Sequence, residues 1–295
     1  YARGAPPRAH PSHAMQYRHS FHAGSFADVH KHVALLALLA ALQRKDGGFL
    51  YLETHAGRGA YDLTRPRTEA TRAAQSGLAR LAAASPATAE LRHYLAQLEL
   101  LRAHLNNANA YPGSPLLAAA QLRPQDRAVL LEIVPSEARA LVRTLRGYGR
   151  ARVAEADGFE RLRAYLPPRE RRSLVLIDPP YEARADFESV AAACQEGLRR
   201  LRSAVIVAWY PIKDARTTSA WLARLAARID CENTVSEWWL YPRDSRVSLN
   251  GSGLLILNPP YQFAARMHLW MAELHAAFNS AGAGGVSVRT LTTQA

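Results

Sequence analysis

The chain reads as an α/β protein built on a doubly wound, mostly parallel sheet, and three features predict it. Short β-branched runs alternate with longer helical stretches from Phe49 onward. Several of these runs end in a glycine pair or a lone acid, at Gly57 and Gly59, Glu132, Asp157 and Asp178. In open α/β sheets ligands bind outside the carboxyl ends of the strands, so polar groups gathered there mark a crevice. The sharpest such end is Ser173 to Tyr181, SLVLIDPPY, an apolar run halted by two prolines that have no N–H to donate to a sheet.

Composition bounds the rest. A chain of 295 residues with 48% hydrophobic content can bury one large core, and residues 15–295 read as one domain with an insertion. Residues 1–14 are polar and proline-broken, which suits a disordered extension or one foreign to the natural chain. Val33 to Leu42 is apolar but too short to span a bilayer, and no secretory leader is visible, so the expected location is the cytoplasm. Cys194 and Cys231 lie in unrelated segments without CxxC spacing. His19, His22, His30 and His32 have no cysteine partner and few acids nearby, so no metal is expected. The net charge of +12 and pI near 10.1 suit a polyanion such as nucleic acid, although a general preference for Arg and Ala accounts for part of it.

Taken in order, a helix running through about Leu42 is opened by Lys31 and His32, where free N–H groups favour a ligand carboxylate. Phe49 to Thr54 is the first strand, and the loop His55-Ala56-Gly57-Arg58-Gly59 allows close backbone approach to a ligand. Residues from about 61 to 110 are Arg/Ala/Leu-rich with helical apolar spacing. They far exceed the roughly dozen residues that a crossover needs, and form an inserted helical subdomain. Tyr111-Pro112-Gly113-Ser114-Pro115 ends it, with Ser114 as N-cap of a short helix. The second strand, Ala128 to Ile133, carries Glu132, suited to the hydroxyls of a ribose. The third, Arg152 to Gly158, carries Asp157, placed to accept from the amine of a cofactor adenine. After the fourth strand come a helix near Phe187 to Leu201, a strand Ala204 to Trp209 and a helix near Thr217 to Ala227. Strands Thr234 to Leu240 and Gly253 to Leu257 follow as an antiparallel hairpin.

The Asp178 corner has its own chemistry. Asp178 and the Pro179 carbonyl are two acceptors facing one spot, which suits an amino group with two N–H donors, and Tyr181 offers a flat face for the attached ring. Hydrogen bonds from both N–H groups localise an otherwise delocalised lone pair, and Asp178 can then take the proton. The four residues resemble the catalytic tetrapeptide of S-adenosylmethionine-dependent amino-group methyltransferases, which modify adenine N6, guanine N2 or glutamine N5. Asn258-Pro259-Pro260-Tyr261 matches it too. That copy ends the last strand rather than the fourth, and reads as a strand-ending turn.

In sequence order, YRHSFHAGSFADVHKH, LETHAGRGAYDL, YPGSPLL, ADGFERL, LIDPPYE and SGLLILNPPY resemble the RlmJ family of 23S ribosomal RNA adenine-N6 methyltransferases, from about Tyr17 to Val288. The resemblance implies a Rossmann-like class I methyltransferase with a seven-stranded, mostly parallel sheet, an antiparallel last strand and a helical insertion. It implies S-adenosylmethionine as cofactor, protein-free or early precursor 23S ribosomal RNA as substrate, and no metal; we expect a monomer with no membrane attachment. It places Lys31, His32, His55, Ser114, Glu132, Asp157 and Gly158 at the cofactor beside Gly57, Asp178 as proton acceptor with Pro179 and Tyr181, and Tyr17 against the substrate base. Reading the residues alone reaches Glu132, Asp157 and Asp178, but neither His55 nor Tyr17. The segment ahead of Met15 departs from the family pattern. The alternatives are methylation of DNA adenine N6 or of protein glutamine N5, the latter favouring the Asn258 copy, and a non-catalytic nucleic-acid-binding Rossmann module.

Overall fold

The computed structural model describes residues 23–64, 68–183, 185–242, 249–279 and 282–291; residues 1–14 and Tyr17, with their expected roles, lie outside them. The first helix, α1 (Phe26–Gln43), is followed by β1 (Leu50–Glu53) and β2 (Ala60–Asp62). Two helices, α2 (Glu69–Ala83) and α3 (Ala89–His104), lead to β3 (Ala110–Pro112), which pairs antiparallel with β2. The chain then alternates through α4 (Ser114–Gln121), β4 (Arg127–Glu132), α5 (Pro135–Thr144), β5 (Ala151–Glu155), α6 (Gly158–Tyr165) and β6 (Ser173–Ile177). It closes with α7 (Ala185–Arg200), β7 (Val205–Ile212), α8 (Ala215–Ala226), β8 (Asn233–Trp239), β9 (Gly251–Leu257), α9 (Phe263–Phe278) and β10 (Gly285–Arg289).

The main sheet has the order β10-β8-β9-β7-β6-β1-β4-β5. Strands β5, β4, β1, β6 and β7 run parallel, while β9 is antiparallel to both β7 and β8. Among the described residues the sheet has eight strands rather than seven, because β10 adds to the edge beside β8. Its sequence GVSVR alternates in the strand manner but is short enough to pass for a tail. Strand β7 also runs past the expected end at Trp209 to Ile212. Pro211 is tolerated there because pairing with β6 ends at Ala208, leaving β9 as the one neighbour at that level.

Both faces of the sheet are buried. In β1, Tyr51 joins the core beneath α1, α3, α4 and α9, whereas Leu50 and Leu52 join the core beneath α6, α7 and α8. In β6, Leu174 and Leu176 face the first and Val175 and Ile177 the second. That two-sided burial is why these strands read as continuous apolar runs. Each such side chain contributes about 1.5–3 kcal/mol of burial. Helix α1 has the length and apolar content of a membrane span, yet 72% of it is buried inside the protein. It begins at Phe26, with Phe26 and Val29 already in the core. Lys31 and His32 therefore lie in its second turn, beyond the free N–H groups at which they were expected.

Candidate active site

The parallel strands direct their carboxyl ends to one edge, and a pocket of about 1020 Å³, open mouth included, lies there. Lys31, His32, His55, Ser114 and Asp178 line it together with Asp28, Tyr61, Pro180, Trp209 and Lys213. Gly57, Glu132, Asp157 and Gly158 lie along the same edge outside that wall.

Asp178 directly follows the last residue of β6 and is 6% exposed. Lys31 Nζ donates to Asp178 Oδ2 and lies 2.9 Å from Asp28 Oδ1. Burial opposes the charge on Lys31, but the Asp178 and Asp28 carboxylates more than offset it and hold the ammonium well above its ordinary pKa. Burial likewise disfavours ionised Asp28, yet Lys31 and His32 bring it below the usual carboxylate range. Asp28 was not singled out in the sequence, although its place three residues before Lys31 puts both on one helix face.

His32 is buried and stacks on Tyr111 at 5.5 Å. Its Nδ1 lies 3.1 Å from the Tyr111 hydroxyl, which is 3.1 Å from the Tyr94 hydroxyl. Burial drives its pKa to about 3, so the ring is neutral. Nε2 is a buried atom without a hydrogen-bond partner among the described residues, and in the tautomer whose Nδ1 accepts from Tyr111 it carries the proton. An orphaned donor in a pocket wall suits an anionic group of a ligand.

Ser114 is the first residue of α4 rather than its cap, a place taken by Gly113. Pro115 fixes the first turn, and Ser114 Oγ is 2.5 Å from Glu53 Oε1. Tyr51 donates to the other Glu53 oxygen at 2.8 Å. Burial pushes Glu53 up to about 8, against the pull of those two hydroxyls. His55, at the end of β1, stands edge-on to Phe159 at 4.7 Å.

Glu132 ends β4 and accepts the N–H groups of Gly57 and Val134, each at 2.7 Å. It therefore shapes the glycine loop, in which Gly57 has φ +63°. Ile133 beside it is 57% exposed, an apolar surface the sequence reading passed over. Asp157 caps α6, accepting from Phe159 and Glu160 at 2.8 and 3.2 Å through Oδ1. A Cβ on Gly158 would lie 1.9 Å from the Thr54 carbonyl oxygen, so only glycine lets α6 approach β1 this closely.

Tyr181 sits differently from its expected place. Its φ of +52° turns the chain inward, its ring packs on Phe187 at 4.7 Å and Trp209 at 5.6 Å, and its hydroxyl donates to the Trp209 carbonyl at 2.5 Å. It is 6% exposed and supports the wall from behind. Of the two prolines, Pro180 lines the pocket and Pro179 is buried. The second tetrapeptide is far from this site. Leu257 pairs with Ile206 near the start of β7, whereas Ile177 pairs with Ala208. Asn258 thus emerges at the opposite sheet edge.

The chain resembles known proteins over most of its length. A family model described as "Ribosomal RNA large subunit methyltransferase D, RlmJ" matches residues 46–292. Ribosomal RNA large subunit methyltransferase J of Escherichia coli (strain K12) is 37% identical over 277 residues, covering 93% of this chain and 98% of that protein. Its namesake from Haemophilus influenzae is 34% identical over 95% and 100% of the two chains. A crystal structure of a Legionella pneumophila protein superposes with a TM-score of 0.83 at 32% identity, over 91% of this chain and 98% of that one. With the family pattern matched across the catalytic sheet and both relatives aligned almost end to end, the chain belongs to the RlmJ family of ribosomal RNA large subunit methyltransferases.

Proposed function

We propose that this protein transfers a methyl group from S-adenosylmethionine to N6 of one adenine in 23S ribosomal RNA. The substrate is the protein-free or early precursor RNA, and the enzyme works in the cytoplasm as a monomer. The observation that carries the reading is Asp178: a buried carboxylate at the carboxyl edge of the sheet, held by Lys31 in a pocket shared with His32, His55 and Ser114. The unpartnered His32 Nε2 fits a cofactor that bears a carboxylate. Glu132 and Ile133 fit its ribose and adenine, with Asp157 and Gly158 at the purine edge. When bound, the cofactor supplies an electrophilic methyl group.

Lys31 occupies Oδ2 of Asp178, so Oδ1 is the oxygen left to accept one N–H of the adenine amine. The Pro179 carbonyl takes the other. Two acceptors localise the nitrogen lone pair, and the carboxylate stabilises the positive charge that develops on N6. The N6 proton then passes to Asp178 and leaves to solvent. The target base must be unpaired or flipped out to reach this edge.

Labelled S-adenosylmethionine, protein-free large-subunit RNA and nucleoside analysis of the product test the reading. One N6-methyladenosine per RNA is expected, lost in Asp178→Asn. Methylation confined to DNA or protein acceptors would sink it.

A further inference from the structure

Tyr181 is packed behind the wall, so the base-binding end of the pocket needs another aromatic face. Resting on the methyltransferase reading above, we propose that Trp209 supplies the face on which the target base stacks and that Lys213 holds the neighbouring backbone phosphate.

Trp209 stands on β7, next in the sheet to β6 with Asp178, on the side away from β1 and His55. Trp209, Pro211, Lys213 and Leu249 continue the pocket wall past Asp178 and Pro180. The cofactor end and this end therefore flank the reacting carboxylate from opposite sides.

The indole is only partly buried, yet it is held firmly. Its Nε1 donates to Ser252 Oγ at 3.0 Å, Ser252 Oγ lies 3.0 Å from His30 Nδ1, and His30 Nε2 lies 2.9 Å from Ser236 Oγ. Ser236, Ser252 and His30 are buried. A satisfied polar chain of this kind rigidifies whatever it terminates on, and it terminates on the indole. Tyr181 meets the ring at 68° and props it from the side. A fixed, partly exposed indole at the substrate end has the form of a stacking platform. The nucleic-acid bases all present a π-face to such a platform, and stacking is sequence-tolerant.

Lys213 is exposed and has no ion-pair partner among the described residues. Of the 37 lysines and arginines, three are lysines, at positions 31, 45 and 213. Lys31 and Lys213 both line this pocket. Where arginine fills nearly every other basic position, a lysine at the mouth points to a compact charge that must turn freely toward a phosphate.

The test starts with the wild-type enzyme, S-adenosylmethionine and protein-free large-subunit RNA. No product there overturns the methyltransferase reading and this subsite with it. With an active wild type, Trp209→Ala lowers kcat/KM for RNA about 10- to 100-fold, the effect of losing one base stack. Trp209→Phe restores most of it, and affinity for S-adenosylhomocysteine stays within about twofold in both, since neither touches the cofactor end. Lys213→Ala makes the negative slope of log affinity for RNA against log salt shallower by about one. Lys45→Ala, at the opposite sheet edge, leaves the slope unchanged. Should Trp209→Ala not fold, Trp209→Leu takes its place in the comparison. RNA kinetics within about threefold of wild type in a folded Trp209 variant, or a loss that phenylalanine does not restore, overturns the stacking role. An unchanged salt slope in Lys213→Ala overturns the phosphate contact.

Discussion

Replacing Lys31 by methionine keeps the side-chain length and removes the cation that bridges Asp28 and Asp178. Two carboxylates are left, one 6% exposed and the other with 20% of its side chain exposed. Breaking a buried ion pair from one side costs about 3–5 kcal/mol, because the remaining charge is uncompensated. Asp28 keeps some access to water and either acid can take up a proton, so the lower end applies, about 3 kcal/mol at neutral pH. For a domain of this size that lowers Tm by roughly 5 °C. The pH dependence follows from Asp28, whose pKa is below its ordinary value in the folded state. Its stabilising contribution is present above the unfolded carboxylate range and is lost as pH falls through the folded pKa. The gap between wild type and variant accordingly narrows in acid. Urea melts of wild type, Lys31→Met and the double variant Asp28→Asn/Lys31→Met at neutral and acid pH measure all of this. The double variant recovers part of the loss, since one of the two uncompensated charges is gone. A loss under about 1 kcal/mol at neutral pH, or no recovery in the double variant, refutes the electrostatic account of the Lys31 triad.

Asp178→Asn keeps affinity for S-adenosylhomocysteine within about threefold and slows single-turnover methylation at least about 100-fold, in line with the loss of a proton acceptor; unchanged turnover excludes that role. His30 and His32 are held near a pKa of about 3, chiefly by burial, against an ordinary 6.5. The unfolded chain binds more protons between those values, so stability is lost as pH falls below 6.5. At pH 5 the loss is roughly 2 kcal/mol per histidine, and a flat profile of urea melts between pH 5 and 7 contradicts it. Gly158→Ala forces a Cβ to within 1.9 Å of the Thr54 carbonyl unless the backbone shifts. It costs about 1–3 kcal/mol and weakens binding of S-adenosylhomocysteine, measured by calorimetry.

The parallel core was legible because its strands are buried on both faces and end in polar residues where the crevice lies. β6 is the plainest example, its SLVLI run dividing between two cores and stopping at Asp178. What the sequence hid depends on register and on backbone turns. Trp209 is level with the Asp178 corner only because β7 pairs with β6 as far as Ala208, and no local pattern announces that pairing. Tyr181 read as an open aromatic face until its positive φ turned it inward. The Lys31 pairing with Asp178 joins residues 147 positions apart. The orphaned Nε2 of His32 becomes visible only once Tyr111, itself bonded to Tyr94, is seen to occupy the other nitrogen. His30, Lys31 and His32 follow one another in the chain yet turn to three separate tasks, because successive helical residues point about 100° apart.

The two copies of the tetrapeptide show most directly how position decides meaning. Asp178 follows a strand that runs parallel to its neighbours, whereas Asn258 follows β9, which runs against them and exits at the other edge. There Asn258 Nδ2 donates to the backbone carbonyls of Arg202 at 2.8 Å and Ala204 at 2.9 Å, with φ +51°. An amide serves this turn where a carboxylate cannot, since it must donate to carbonyls. Tyr261 beyond it is 83% exposed and covers nothing. Asn258→Ala removes both bonds and leaves alanine in a left-handed conformation, for a combined loss of about 1–3 kcal/mol. Asn258→Asp puts a carboxylate against the same two carbonyls and is at least as damaging. Both variants keep wild-type turnover per folded molecule, measured with the RNA assay after correction by thermal melts. A folded Asn258→Ala enzyme of normal stability and lowered turnover would reverse the assignment, making the second corner the chemical one and the first a turn.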